Sequence, residues 1–321
     1  MTQQARPTMV SCLLLTYNHA PYVAEAIESM LAQKTTFRYE IIAADDCSTD
    51  GTRAILANYA AHYPDIVRTC FLPKNLGGSA LHHYVGMHFC PGKYMTILEG
   101  DDMWLSTDRL QTLVDFLETH PGYACVAHKR ELRSDAGELI DYDPPKRLFH
   151  GDFTMEQFLR GQRYSMTGSL YVNHYPLVGD KYKALELATR NADDYQRCVI
   201  VHDFGKVAML DRCFNRYRVI RSKTGVNYNS TMRDVEKYRD QMRIFGVLRA
   251  FYGNQYDFTG EVRRWQSKHL LLALLHGRWA QLREIWRDVP RAQKWSTALY
   301  VPAYAVKRAL KIGERSGWKI R

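Results

Sequence analysis

Tyr94-Met95-Thr96-Ile97-Leu98-Glu99-Gly100-Asp101-Asp102-Met103-Trp104 reads as a buried strand that runs directly into three carboxylates. Acids gathered within a few residues repel one another and lose hydration, so they persist together only where something positive neutralises them. A divalent cation is the simplest such partner, and oxygen ligands select a hard one, Mg²⁺ or Mn²⁺. An ion held this way keeps open positions that phosphate oxygens complete, which points to a diphosphate-bearing substrate. On this stretch alone, an acidic turn capping a helix that begins near Ser106 is an equal alternative.

Outward from that stretch, strands alternate with helices. Val10 to Thr16 is a continuous apolar strand, followed by a turn at Asn18 to Pro21 and a helix whose Val23, Ile27, Met30 and Leu31 keep helical spacing. The next strand, Tyr39 to Ala44, ends in Asp45-Asp46-Cys47-Ser48, with Ser48 or Asp50 placed to cap a helix through Ile55, Leu56 and Tyr59. A third strand near Val67 to Leu72 leads through Lys74-Asn75-Leu76-Gly77-Gly78 into a helix at about 79–89. The pattern predicts an α/β fold, a doubly wound and mostly parallel central sheet flanked by helices, in which ligands bind beyond the carboxyl ends of strands. Two of those ends, at Asp45-Asp46 and Asp101-Asp102, carry acidic pairs on one rim. A helix with Leu110, Leu113, Val114 and Leu117 on one face then leads to a short strand, Tyr123 to Ala127. The expected organisation is a nucleotide-binding half over 1–128, a second half of the same domain over 129–229, and a helical C-terminal extension over 230–321 that includes helical segments across 264–289.

With 321 residues and 46 % hydrophobic composition the chain can bury one large core or two moderate ones. Its formal charge of +10 is uneven: residues 261–321 hold 14 Lys and Arg against 4 Asp and Glu, and the first 260 balance at 30 of each. Trp265, Trp279, Trp286, Trp295 and Trp318 fall in that basic segment, beside Leu270, Leu271, Leu274, Leu275 and Leu282. Basic residues among aromatics suit an anionic bilayer surface, and an apolar stripe equally suits a subdomain packed on the core or in a homodimer. Aromatics set among leucines form no nucleic-acid motif, so nucleic acid is not an expected partner. Seven scattered cysteines without a C-x-x-C pair exclude a disulfide framework and a zinc cluster. Met1 to Met9 lacks the regions of a secretory signal and no apolar run approaches the ~20 residues of a membrane span, so the expected location is cytoplasmic, or peripheral on the inner face of the membrane.

The first strand is followed by Tyr17-Asn18-His19-Ala20-Pro21-Tyr22 rather than a G-x-G-x-x-G, and there is no P-loop. A nucleotide is therefore expected to be held by its base, its ribose and a metal on its phosphates. Carboxylates can accept hydrogen bonds from base N–H groups and ribose hydroxyls.

At this point Leu15-Thr16-Tyr17-Asn18, Ala44-Asp45-Asp46-Cys47-Ser48-Thr49-Asp50-Gly51-Thr52, Asn75-Leu76-Gly77-Gly78 and Leu98-Glu99-Gly100-Asp101-Asp102-Met103-Trp104, in that order, resemble the family 2 glycosyltransferases of GT-A fold over about residues 9–225. The resemblance implies a nucleotide-diphosphate sugar donor, a UDP-sugar first, bound with Mn²⁺ or Mg²⁺, a glycan or lipid-linked acceptor, and inversion by single displacement. It implies that Asp46 faces the base with Asp45 beside it, that Thr16, Tyr17, Asn18, Asn75 and Gly77 line the nucleotide pocket, and that Glu99-Gly100-Asp101 stands at the D-x-D position with Asp102 adjacent. Glu99 replaces the first Asp of that motif, which makes Asp101 and Asp102 the safer metal ligands. Asp194, with Asp193 as the fallback, resembles the family's general base, and Arg218 in Tyr217-Arg218-Val219 is the cation expected near the departing diphosphate. The His that ordinarily follows is Ile220 here, with Arg221 and Lys223 as substitutes; His82 and His83 read as packing residues. Two rivals fit less well. A sugar-phosphate nucleotidyltransferase needs a glycine-rich basic loop after the first strand, and a non-catalytic membrane scaffold of the same fold would have lost its acids.

Overall fold

The computed structural model describes residues 7–134, 136–143, 151–190, 194–220, 234–295 and 297–298. The apolar run Val10–Thr16 forms β1, buried along nearly its whole length as a strand covered on both faces must be. It pairs in parallel with β2 (Tyr39–Asp45) on one side and β4 (Tyr94–Glu99) on the other, while β3 (Val67–Phe71) extends the sheet beyond β2. Helices α1 (Val23–Leu31), α2 (Thr52–His62) and α3 (Gly78–Phe89) make the crossovers that parallel strands require. The register pairs Thr16 with Asp45 and Leu15 with Glu99, so both acidic strand ends emerge at one level.

Past the acidic turn the architecture changes. Met103–Trp104 is a two-residue strand, β5, invisible to periodicity at that length; it pairs antiparallel with Arg216 and Asn215 of β10 (Lys206–Val219). Between them lie α4 (Arg109–Thr119), β6 (Tyr123–Ser134), β7 (Leu139–Asp143), β8 (Gly151–Phe153), α5 (Met155–Leu159), β9 (Ser169–Val172), α6 (Tyr175–Val178), α7 (Lys183–Glu186) and α8 (Asp194–Ile200). The sheet order is β3-β2-β1-β4-β9-β6-β10-β5, with β7 on β6 and β8 on β10. Its parallel part is confined to β3-β2-β1-β4 and the β6–β10 pair, and the sheet as a whole is mixed. The reason is local: α5 to α8 are four to seven residues long, too short for most crossovers, and antiparallel neighbours need none.

Leu14, Ile27, Met30, Leu56, Leu98, Leu113 and Phe214 are among the residues of the main core, which joins the sheet to its helices. The chain divides into two compact units, Met1–Phe158 with Gln162–Thr231, and Met232–Arg321 with Leu159–Gly161. β6 runs across residue 128, so the two expected halves of the first unit share a strand. The second unit contains α9 (Asp234–Tyr252), α10 (Thr259–Leu275) and α11 (Trp279–Asp288). The helical stretch expected over 264–289 is broken at Gly277, whose φ of +62° no helix continues. Its small core is Tyr238, Leu270 and Ile285 with Met242, Leu282 and Trp286 against them. Leu274 and Leu275 of the apolar stripe are exposed.

Candidate active site

The ends of β1 and β2 are bound together by one carboxylate. Asp45, fully buried, accepts from Thr16 Oγ1 at 3.1 Å, from Ser48 N at 2.9 Å, from the Ser48 hydroxyl and from Arg53 Nε at 2.5 Å. Arg53 sits in the first turn of α2 and supplies the charge that lets an acid remain there. Asp45 is thus engaged with the protein on both oxygens. Ser48 is turned toward Asp45 and Asn18 rather than capping α2, while Asp50 accepts from the Thr52 backbone N–H at 3.1 Å. Asn18, at φ +55°, accepts from Thr49 N at 2.8 Å, and Ala20 N donates to Asp50 at 3.0 Å, which fastens the turn after β1 to the turn after β2. Tyr17 lies half-buried in that first turn.

Asp46 organises a third loop. Its Oδ1 accepts from Leu76 N at 2.7 Å, its Oδ2 from Gly77 N at 2.8 Å, and its backbone oxygen from Asn75 Nδ2 at 3.0 Å. Gly77 has a φ of +93°, and a Cβ there would stand 2.4 Å from Arg190 O and 2.3 Å from Arg190 Cγ. Arg190 reaches back over this loop to donate to Asn75 Oδ1 at 2.7 Å, and its carbonyl accepts from Ser79 N at 3.1 Å. Neither Arg53 nor Arg190 was marked by sequence reasoning. The signal for Arg53 was a basic residue one turn into the helix behind an acidic strand end; Arg190 had none, being 115 residues from Asn75.

The acidic turn occupies the other side of β1. Gly100 N donates to Leu15 O at 2.9 Å, and a Cβ on Gly100 would lie 2.7 Å from both His19 Nδ1 and Thr16 Cγ2, so this turn packs against the turn after β1 only with glycine there. Asp101 and Asp102 are buried, whereas Glu99 is exposed. Arg218 binds the turn from β10: its N–H donates to Asp102 Oδ1 at 2.9 Å and its Nε to Asp101 O at 3.0 Å. Its guanidinium also pairs with Glu25 and lies 4.7 Å from the centre of the Tyr22 ring. Burial, with the charges of Asp101 and Glu99 alongside, pushes the Asp102 carboxyl well above the ordinary carboxylate range, against the Arg218 N–H that favours ionisation. Burial and the Glu99 and Asp102 charges likewise raise the Tyr217 phenol.

Asp101 Oδ1 is a buried oxygen with no hydrogen-bond partner among the described residues, and the neighbouring His19 Nδ1 is the same. An unmatched carboxylate oxygen next to a carboxyl that resists ionising fits a hard cation, which removes both penalties. Among the described residues no three Asp, Glu, His or Cys side chains converge on one point. A site that shares Mg²⁺ or Mn²⁺ with substrate phosphates takes only one or two carboxylates, and Asp101 with Asp102 meets that number.

Asp194 opens α8 and is exposed; Asp193 lies outside the described residues, as do Arg221 and Lys223. Arg190, four residues before Asp194 in the chain, is bonded to Asn75 and Ser79 of the loop that Asp46 pins. His83 is buried and packed, hydrogen-bonded to Glu186 at 2.5 Å, and His82 meets the Tyr171 hydroxyl at 3.3 Å. The structure thus brings Thr16, Asn18, Asp45, Asp46, Asn75 and Gly77 into one set of interlocked turns and Gly100, Asp101, Asp102 and Arg218 into another, with Thr16 touching both.

Residues 11–167 match the profile of glycosyl transferase family 2. An uncharacterized protein of Mycobacterium tuberculosis is 27% identical, covering 97% of this chain and 95% of its own length. EpsE of Bacillus subtilis, named as a glycosyltransferase, is 38% identical over a shorter stretch, 36% of this chain and 41% of that protein. Among solved structures, residues 1–349 of S. aureus TarS in complex with UDP-GlcNAc superpose with a TM-score of 0.65 at 15% identity, covering 98% of this chain and 93% of that one. The mannosyltransferase PcManGT of Pyrobaculum calidifontis, in complex with GDP-Man and Mn²⁺, gives a TM-score of 0.53 at 15% identity, covering 95% of this chain and 87% of that one. At that identity these structures establish the shared fold.

The raised Asp102 carboxyl has a measurable consequence. Its folded-state pKa lies above the unfolded one, so its contribution is fully present below the unfolded value and is lost as pH rises through the folded value. In EDTA at neutral pH, Asp102→Asn should melt above the native protein, because an amide oxygen still accepts from Arg218 N without the buried charge. The difference should close toward about pH 4, where carboxylates protonate in the unfolded chain as well.

Proposed function

We propose that this chain, a glycosyltransferase that belongs to family 2, moves a sugar from a nucleoside diphosphate donor to an acceptor hydroxyl with inversion, and that Asp194 is its general base. The observation that carries this reading is the pair of interlocked turn systems on one rim of the sheet, one built by Asp46 and the other ending in the unmatched Asp101 oxygen. Thr16, Tyr17, Asn18, Asp45, Asp46, Asn75 and Gly77 form the side that receives the base and ribose. Each Asp46 oxygen accepts one backbone N–H and retains a lone pair for a base N–H. A uridine diphosphate sugar is the donor we favour, in keeping with the UDP-GlcNAc complex of TarS.

Asp101 and Asp102, with Glu99 on the exposed side, are the residues that would hold Mn²⁺ or Mg²⁺, which when bound supplies positive charge to the diphosphate. Arg218 stands beside them, and its guanidinium can stabilise the leaving group by charge-assisted hydrogen bonds once released from Glu25. Asp194 takes the acceptor proton as the hydroxyl oxygen attacks the anomeric carbon; the bond to the diphosphate oxygen breaks in the same displacement. The acceptor we favour is a glycan or lipid-linked molecule of the kind used in bacterial surface polysaccharide or glycolipid assembly. No helix among the described residues is long and apolar enough to cross a membrane. The second unit instead exposes Leu275 at 68%, Trp279 at 62% and Trp295 at 83% within the basic segment, and we assign that surface to an anionic lipid bilayer.

Two measurements test these assignments. Asp194→Asn should lower sugar transfer by about 10²- to 10⁴-fold while leaving donor affinity unchanged, read as UDP release and donor titration; near-native turnover would remove the assignment. The full chain should sediment with vesicles containing phosphatidylglycerol and not with phosphatidylcholine alone, and Trp279→Asp with Leu275→Asp should abolish that. Dimerisation at these residues in place of vesicle binding would assign the surface to a second copy.

A further inference from the structure

Helix α8 spans seven residues, Asp194–Ile200, far fewer than a helix needs to hold itself together in water. Its side chains from Gln196 to Ile200 are buried, and one of them is a cation. Arg197, one turn beyond Asp194 and 1% exposed in its side chain, donates from Nη1 to Glu186 Oε1 at 2.9 Å and to the Tyr175 hydroxyl at 3.1 Å. Glu186, fully buried on α7, is also bonded to His174 Nε2 at 3.0 Å, to the Tyr175 hydroxyl at 3.1 and 3.2 Å, and to His83 Nδ1 at 2.5 Å. Burial opposes ionisation of Glu186, but the Arg197 charge and the bonds from His174 and His83 outweigh it and hold the carboxyl far below the ordinary range.

One arm of the cluster leads to the donor-side loop and the other to Asp194. His83 belongs to α3, which starts at the Gly77–Gly78 loop that Asp46 pins. Gly86, one turn further along α3, admits the Tyr175 ring where a Cβ would lie 2.1 Å from it. Arg197 belongs to α8, which starts at Asp194. One buried anion therefore ties the helix that opens at the donor-side loop to the helix that opens at the base.

We infer that Glu186 is a positioning residue: through His83 and Arg197 it fixes Asp194 relative to the donor-side loop. The inference rests on the reading of Asp194 as the base. Glu186 has no access to substrate, so its effect on chemistry passes through Arg197 and α8, and a displacement of about 1 Å there is enough to lower turnover by about 10²-fold.

Glu186→Gln preserves volume and an acceptor oxygen but removes the charge. Hydrogen exchange of the ligand-free protein should show about tenfold or faster exchange in both 78–89 and 194–200, with β1 and β2 unchanged. With UDP-GlcNAc and Mn²⁺ as the probe, kcat for UDP release should fall about 10²-fold with donor KM nearly constant, and Glu186→Asp should recover part of kcat. His83→Gln, which leaves the Glu186–Arg197 pair intact, guards against a variant that fails to fold and should loosen 78–89 alone. Native exchange in α3 and α8 of Glu186→Gln, loosening there of one without the other, or native exchange of 78–89 in His83→Gln overturns the tie. The failure of the Asp194 reading looks different: Asp194→Asn would turn over normally while Glu186→Gln still loosened both helices.

Discussion

Four carboxylates lie buried on one rim of the sheet, Asp45, Asp46, Asp101 and Asp102, none more than 4% exposed. Charges at that separation from water interact strongly, and each must be answered locally or remain protonated. The protein answers them unequally. Asp45 receives a guanidinium and Asp46 two backbone N–H groups, so the acids on the side of the rim beyond β2 are answered within the chain. Asp102 receives one N–H and resists ionising, and one Asp101 oxygen receives nothing among the described residues. The incomplete side is the one we propose is completed by charge from outside the chain.

The rest of the first unit serves that asymmetry. Parallel strands bring the two acidic ends to one level because their register pairs Thr16 with Asp45 and Leu15 with Glu99. The two-residue strand β5 then fastens the acidic turn to β10, which is how Arg218 arrives beside Asp101 and Asp102 from 116 residues away. Glycines are spent where chains must touch: Gly100 against His19 and Thr16, and Gly77 against Arg190. The short helices of the second half gain their order from buried polar contacts such as the Glu186 cluster rather than from length.

What could be read in the sequence follows from the range of the interactions involved. The four parallel strands and their helices were legible because burial on both faces writes an apolar run and a helix writes a 3.6-residue period. The acidic ends were legible because their chemistry is contiguous. β5 and the antiparallel insertion of β9 between β4 and β6 were not, since two to four residues carry no period and the pairing partners are distant in the chain. Arg190 and Glu186 were missed for the same reason, since each acts through a partner that folding alone brings near, whereas Arg53 was marked only by its place in the helix behind an acidic strand end. Asp45 ends β2 and Asp46 follows it, and both bind protein groups, a use that composition and spacing do not reveal.

The central claim is that the rim is completed by a nucleotide sugar and a divalent ion together. Ligand binding to the folded state raises the melting temperature in proportion to the logarithm of ligand over its dissociation constant. The direct measurement is the melting temperature of the full chain with UDP-sugars and GDP-mannose, each with Mn²⁺ and with EDTA. The account requires a rise for at least one nucleotide sugar that is much larger with Mn²⁺ than with EDTA and is lost in Asp101→Ala. An equal rise with and without Mn²⁺, or one that survives Asp101→Ala, would contradict it.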